Sequence, residues 1–271
     1  MYSNSKNSVM VVLDRGGFSM RVVVFSDKKG GVGKTTSALA TAAGLVKAGY
    51  KVLAIDMDGQ GNFGVSSGGE KNVKGTYDFL KGDSLETVLQ SNGVYDFIAG
   101  DKRLSNAEAD FPRIGSESLL RKALKKVAGY DFVIIDTPPA MGLLTLNALV
   151  VADDLIICAQ SDAYSVAGCM ELFGNVELVR ENYNENLNIA GILLTRYSTQ
   201  TNISKQMLPL YEQAAQVMGA VVFNTKIREN IKLTESQVMN KPIYKYAPDS
   251  NGAKDYEAFL NEYLEGMKNN G

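Results

Sequence analysis

Two lysines bracket a glycine-rich stretch, Lys29-Gly30-Gly31-Val32-Gly33-Lys34-Thr35-Thr36, and this spacing suits the holding of phosphate. Closely spaced glycines let successive backbone N–H groups converge on an anion, and a helix starting near Lys34 adds the partial positive charge of its N-terminus. In such a loop Lys34 reaches the β- and γ-phosphates and the Thr35 hydroxyl ligates Mg2+, while Gly30, Gly31, Val32, Gly33 and Thr36 complete the cradle. Carboxylates form the second chemical feature. One apolar run ends Ile55-Asp56-Met57-Asp58-Gly59-Gln60-Gly61-Asn62, and another ends Ile134-Ile135-Asp136-Thr137-Pro138-Pro139. An acid that closes a buried strand beside a phosphate loop can hold Mg2+, usually through a water, and Asp136 fits that description best. The chain has no histidine, so imidazole catalysis, imidazole metal ligation and imidazole pH switching are excluded. Chemistry here falls to Lys, Asp, Thr and a bound metal.

These side chains are far apart in sequence, so the elements that carry them must bring them together. Apolar, β-branched runs predict strands over 21–26, 51–56, 132–136, 154–160, 188–195 and 220–224. They are apolar along their length rather than alternating, as strands covered on both faces by helices are. Apolar residues at three-to-four spacing predict helices over 34–48, 116–128, 143–151, 166–183, 203–218 and 254–267. The alternation argues for an α/β fold: a doubly wound, mostly parallel sheet flanked by helices on both faces. Ligands of such sheets bind at the carboxyl ends of strands, where Lys34, Asp56, Asp58 and Asp136 would meet. Residues 60–115 are broken by glycines into short turns and helices. No linker or repeat divides the chain. We expect one domain over 20–271, with residues 1–19 as a polar extension ahead of Met20.

The common phosphate-loop pattern places a glycine at position 28, whereas this chain has Lys28 there and a further lysine, Lys29, directly before the glycine pair. That form resembles the deviant Walker A ATPases, the P-loop NTPase group that includes ParA/Soj partition proteins, MinD and the nitrogenase iron protein. The resemblance implies Mg2+-dependent hydrolysis of ATP to ADP and phosphate. It implies an ATP-sandwich homodimer in which Lys29 reaches across the interface to the partner's nucleotide. It assigns Lys29, Lys34 and Asp58 to catalysis, with Asp58 orienting the attacking water and Asp56 joining Thr35 and Asp136 around the metal. Gly59 stands where the family commonly has proline. The segment from Asp136 to Gly142 resembles the family's nucleotide-sensing switch.

Beyond Met20 the likeness is strongest to the ParA branch and runs to the C-terminus. It implies that Arg196 and the Pro248 loop neighbour the adenine. It also implies that Lys205, Arg228, Lys232, Lys241 and Lys245 meet double-stranded DNA without sequence preference, with Gln200 where some relatives carry arginine. A ParB-like centromere-binding protein would stimulate hydrolysis, and the protein would be cytoplasmic and nucleoid-associated. A second reading stays open, a ParA-like positioning or regulatory ATPase for a protein cargo with little or no DNA binding. MinD-type proteins end in a basic membrane-entering helix, but residues 261–271 here are acidic and helix-breaking, so no membrane partner is expected. The iron protein needs cluster cysteines in its switch regions. Cys158 and Cys169 lie elsewhere and read as reduced core residues.

Composition agrees. The 271 residues are 45% hydrophobic and 21% charged, and no apolar run is long enough to span a bilayer. The net charge of −2 gives no overall attraction to nucleic acid, so any DNA contact must come from a local basic patch.

Overall fold

The computed structural model describes residues 20–70, 73–112, 114–198 and 201–270. The extension expected over 1–19, and Gln200, lie outside the described residues. Seven strands form one sheet: β1 (Arg21–Ser26), β2 (Val52–Asp56), β3 (Gln90–Ser91), β4 (Asp96–Ile98), β5 (Phe132–Asp136), β6 (Asp154–Ala159) and β7 (Asn188–Leu194). Their order is β3-β4-β2-β5-β1-β6-β7, and every neighbouring pair is parallel except β3 with β4. The chain runs from β1 to one flank and later lays β6 on the other. β1 therefore sits where the winding reverses, the usual place for ligand in an open α/β sheet.

The central strands are apolar throughout because both faces are covered. Val22 and Val24 of β1 enter one core layer, and Val23 and Phe25 enter the other. On the second face lies the helix Lys34–Lys47, whose Ala- and Gly-rich surface lets the C-terminal helix Asn251–Asn270 approach closely. A Cβ placed on Gly44 would come within 2.8 Å of Leu260. The Ser37 and Tyr256 hydroxyls lie 2.9 Å apart across this contact. At the opposite end of the sheet the Tyr263 hydroxyl and Arg21 Nε both donate to Asp154 Oδ2, each at 2.6 Å. The first face is covered by the helices Leu143–Val151, Ala163–Asn182 and Asn202–Val217.

Sequence and structure differ in four places. Residues 261–270, expected to break a helix, instead continue the helix Asn251–Asn270. Residues 220–224 do not form a strand. Val222 makes only an isolated bridge to Ile192, because the next amides, Asn224 and Thr225, donate to the Glu262 carboxylate instead of continuing along β7. The helix expected over 116–128 is a 3-10 turn, Ser116–Ser118, followed by a helix of only six residues, Leu119–Leu124. The irregular stretch contains the short hairpin β3–β4, whose few residues give too brief a pattern to read. Cys158 and Cys169 are free and buried. Among the described residues no helix is long and apolar enough to cross a membrane.

Candidate functional site

β1 ends at Ser26, and the chain turns through Asp27–Gly33 into the helix that begins at Lys34. Two glycines make this turn possible: Gly31 has φ +76° and Gly33 φ +86°, values that side chains resist. A Cβ at Gly30 or Gly31 would meet no atom within 4 Å, so the loop encloses open space on its outer side. Its other side is held in place. Thr195 Oγ1 donates to Val32 O at 2.7 Å and Gln160 Nε2 to Gly31 O at 3.0 Å. Lys34 is 7% exposed, and its ammonium donates to the carbonyls of Asp27 (3.1 Å) and Lys29 (3.0 Å). Thr36 accepts from Gln237 Nε2 at 2.8 Å.

The pairing of β2, β5 and β1 aligns the ends of three strands, placing Asp56 opposite Asp136 and Asp136 opposite Phe25. Thr35 Oγ1 donates to Asp136 Oδ2 at 2.6 Å, while the buried Asp136 Oδ1 has no protein partner. Burial, and then the neighbouring Asp56 charge, hold the Asp136 carboxyl well above the usual carboxylate range. Asp56 is wholly buried. Its oxygens accept the Asp58 and Gly64 amides, each at 3.0 Å, so in this conformation it fixes the loop after β2. Burial again is the main cause of its raised pKa, offset by those amides. A cation beside Asp136 would satisfy its orphaned oxygen and ease the crowding of two buried carboxyls. No group of three or more acidic or cysteine side chains among the described residues could hold a metal unaided. Ligands beyond Thr35 and the acids would therefore be phosphate and water, as Mg2+ commonly takes them.

Asp58 is half-buried, and its Oδ1 accepts the Gln60 amide at 2.9 Å. It lines a cleft of about 310 Å3 together with Glu108, Pro138 and Gly142. Across that cleft Glu108 Oε1 accepts the Leu143 amide at 3.3 Å, at the start of the helix that follows the switch-like segment. Lys29 is paired with Asp162 Oδ2 at 2.8 Å, just beyond the end of β6. Against the penalty of partial burial, hydrogen bonds from Lys29 and Ser165 hold the Asp162 carboxyl below its usual range. Asp162 also caps the helix Ala163–Asn182 through the Ser165 amide.

Comparison with known proteins places this arrangement. A family model described as an AAA domain matches residues 20–189. The chromosome partitioning protein ParA of Myxococcus xanthus is 35% identical over 90% of this chain and 88% of its own. The sporulation initiation inhibitor protein Soj of Bacillus subtilis is 36% identical over 87% of this chain and 95% of its own. This chain belongs to the ParA/Soj family of partition ATPases. Its fold is matched by cobyrinic acid a,c-diamide synthase from Mycobacterium smegmatis, solved with a bound ATP analogue and magnesium. That likeness has a TM-score of 0.81 and 28% identity, covering 93% of this chain and 97% of the other.

Not every residue assigned from the resemblance to the ParA/Soj family lies at the loop. Arg196, with φ +47°, and Pro248 are both exposed, and no hydrogen bond among the described residues joins either to the phosphate loop. Of the five basic residues, Arg228 forks onto Asp255 of the C-terminal helix (2.6 Å) and Lys232 pairs with Glu235 (2.7 Å). Lys205, Lys241 and Lys245 are exposed and form no ion pair among the described residues. Sequence reading missed Gln160, Asp162, Thr195 and Gln237, which grip the loop from other elements. Gln160 and Asp162 could have been found by the reasoning applied to Asp56 and Asp136, since they too follow a buried parallel strand.

Proposed function

We propose that this chain is a DNA-segregating ATPase that dimerises around ATP, binds DNA without sequence preference and is discharged by a ParB-like centromere-binding partner. The observation that best supports the reading is the Thr35–Asp136 hydrogen bond beneath an open glycine turn, with Lys34 buried at its base. Phosphate entering the turn gives Lys34 a stronger acceptor than the two carbonyls it now uses. The loop amides and the first turn of the helix add fixed positive potential. Mg2+, held through the Thr35 hydroxyl with Asp136 and Asp56 nearby, supplies charge neutralisation for the phosphate oxygens. Asp58 stands at the mouth of the adjoining cleft, able to orient a water in line with the γ-phosphate. Lys29 then exchanges Asp162 for the nucleotide of a second copy.

ATP on this account is an adhesive between protomers, and hydrolysis releases it. DNA contact falls first to Lys205, Lys241 and Lys245, with Arg228 and Lys232 joining only if they leave their carboxylate partners. Arg196 and the turn at Pro248 are proposed neighbours of the adenine ring. Filter binding of random duplex, with and without ATP, tests the DNA step. ATP-dependent retention that weakens with salt supports it. No retention at low salt, with ATP hydrolysis intact, favours the protein-cargo reading instead.

A further inference from the structure

One buried acid of the phosphate loop takes no part in the scheme above. Asp27 follows β1 directly and is 1% exposed, yet neither carboxylate oxygen has a hydrogen-bond partner in the protein. The Lys28 and Lys29 amides lie close enough to favour its charge a little without forming aligned hydrogen bonds. Lys34 ignores the carboxylate and donates to the Asp27 backbone carbonyl. On the far side, Oδ1 lies 3.6 Å from where a Cβ on Gly168 would stand, in the helix Ala163–Asn182. A cavity of about 10 Å3, the room of about one water, adjoins it between the loop, Met141 of the switch-like segment and Leu172.

The surroundings of this carboxyl give it little help in carrying charge. Lys34 and Lys29 are the cations that act on it, and Lys29 is engaged by Asp162. The other titratable groups facing it are Cys158 of β6, Cys169 of the covering helix and Tyr211 of the helix Asn202–Val217, all neutral when protonated. Burial is the largest effect and pushes the Asp27 carboxyl up to about 6, with Lys34 pulling it back. Nucleotide capture worsens its position. Lys34 turns its charge to phosphate, and polyphosphate brings several negative charges to the same loop.

We propose that Asp27 takes up a proton when the loop captures its nucleotide, so that binding is linked to pH through this residue. The balance is simple: ionised Asp27, one solvent proton and the nucleotide–magnesium complex yield the neutral acid and the bound complex. As a neutral acid Asp27 gains an O–H donor, which can use the cavity beside it. The linkage acts through the loop and not on the reacting atoms, so Asp27 is a positioning residue. It rests on the reading of the loop as a nucleotide site.

The test is calorimetry of ADP binding with Mg2+, in buffers of different ionisation enthalpy, for the full chain and its Asp27→Asn and Asp27→Ser variants. Protons exchanged by the nucleotide and by Asp56 and Asp136 are common to all three and cancel in the difference. At pH 7 to 7.5 the native chain should take up a larger fraction of a proton than either variant. Between pH 6 and 8 its affinity should fall about fivefold relative to Asp27→Asn, as a rise of one unit in the acid's pKa on binding requires when the free acid is half protonated at pH 6. Equal proton counts and parallel affinity profiles would overturn the proposal while leaving the nucleotide site standing. If none of the three proteins binds ADP, the reading of the site itself is wrong.

Discussion

Thr35 and Asp136 are 101 positions apart in sequence and share one short hydrogen bond, and the site depends on that meeting. Asp136→Asn keeps the shape but removes the charge, so the Mg2+ concentration that half-saturates hydrolysis should rise by about 10- to 100-fold. A titration of ATPase rate against Mg2+ checks this, and an unchanged midpoint would remove Asp136 from the metal's neighbourhood. The same carboxyl bears on stability. Its folded pKa is raised above its unfolded value, so the ionised form opposes folding at pH above the unfolded value. Without Mg2+, the protein should therefore gain stability as pH falls from 8 toward 6. Asp136→Asn should be more stable than the native chain at pH 8, because it removes the buried charge that opposes folding. Thermal melts with and without Mg2+ read both effects, and Mg2+ should narrow the gap because it favours the charged acid. Asp58 makes a different prediction. Asp58→Ala should bind ATP normally and hydrolyse it at least about 100-fold more slowly, the range expected when a residue that orients or deprotonates water is lost.

At the scale of elements, the loop after β2 is fitted closely against the end of β4. A Cβ on Gly100 would lie 2.4 Å from the Asp58 carbonyl and 2.9 Å from Asp56 Cγ. Backbone must shift to admit it, so Gly100→Ala should lower kcat far more than nucleotide affinity and destabilise the fold by about 1–3 kcal/mol. Single-turnover rates beside equilibrium binding would reveal the split. Tyr263→Phe tests the fastening of the C-terminal helix. It leaves Asp154 with Arg21 and Asn188 but one donor short, and denaturant unfolding should show a loss of about 1–2 kcal/mol. Much of this architecture was legible because buried parallel strands are continuous apolar runs. β1 and β5 fall where those runs predict them, and so does the helix Leu143–Val151. The acids at strand ends were legible for the same reason. What stayed hidden depends on partners distant in sequence. Nothing local to residues 220–224 tells that Glu262 will take their amides. Nor does anything local to Lys29 tell that Asp162 will hold it.

For the whole molecule, a net charge of −2 means that DNA is not drawn to the protein as a body. Charge reversal at Lys205, Lys241 and Lys245 together should therefore abolish ATP-dependent retention of duplex. Single changes should each lower the salt slope by about one. The pairing of Lys29 with Asp162 adds a second molecular-scale consequence: in the proposed dimer the lysine would stay occupied within one copy until a second copy offers phosphate. Light scattering of purified protein with Mg2+ and a non-hydrolysable ATP analogue, beside the same sample with ADP, tests this idea most directly. Molecular mass should double with the ATP analogue, stay single with ADP, and stay single with either nucleotide in Lys29→Ala. A chain that remains single with the analogue bound, or a Lys29→Ala variant that doubles as fully as the native protein, would contradict it.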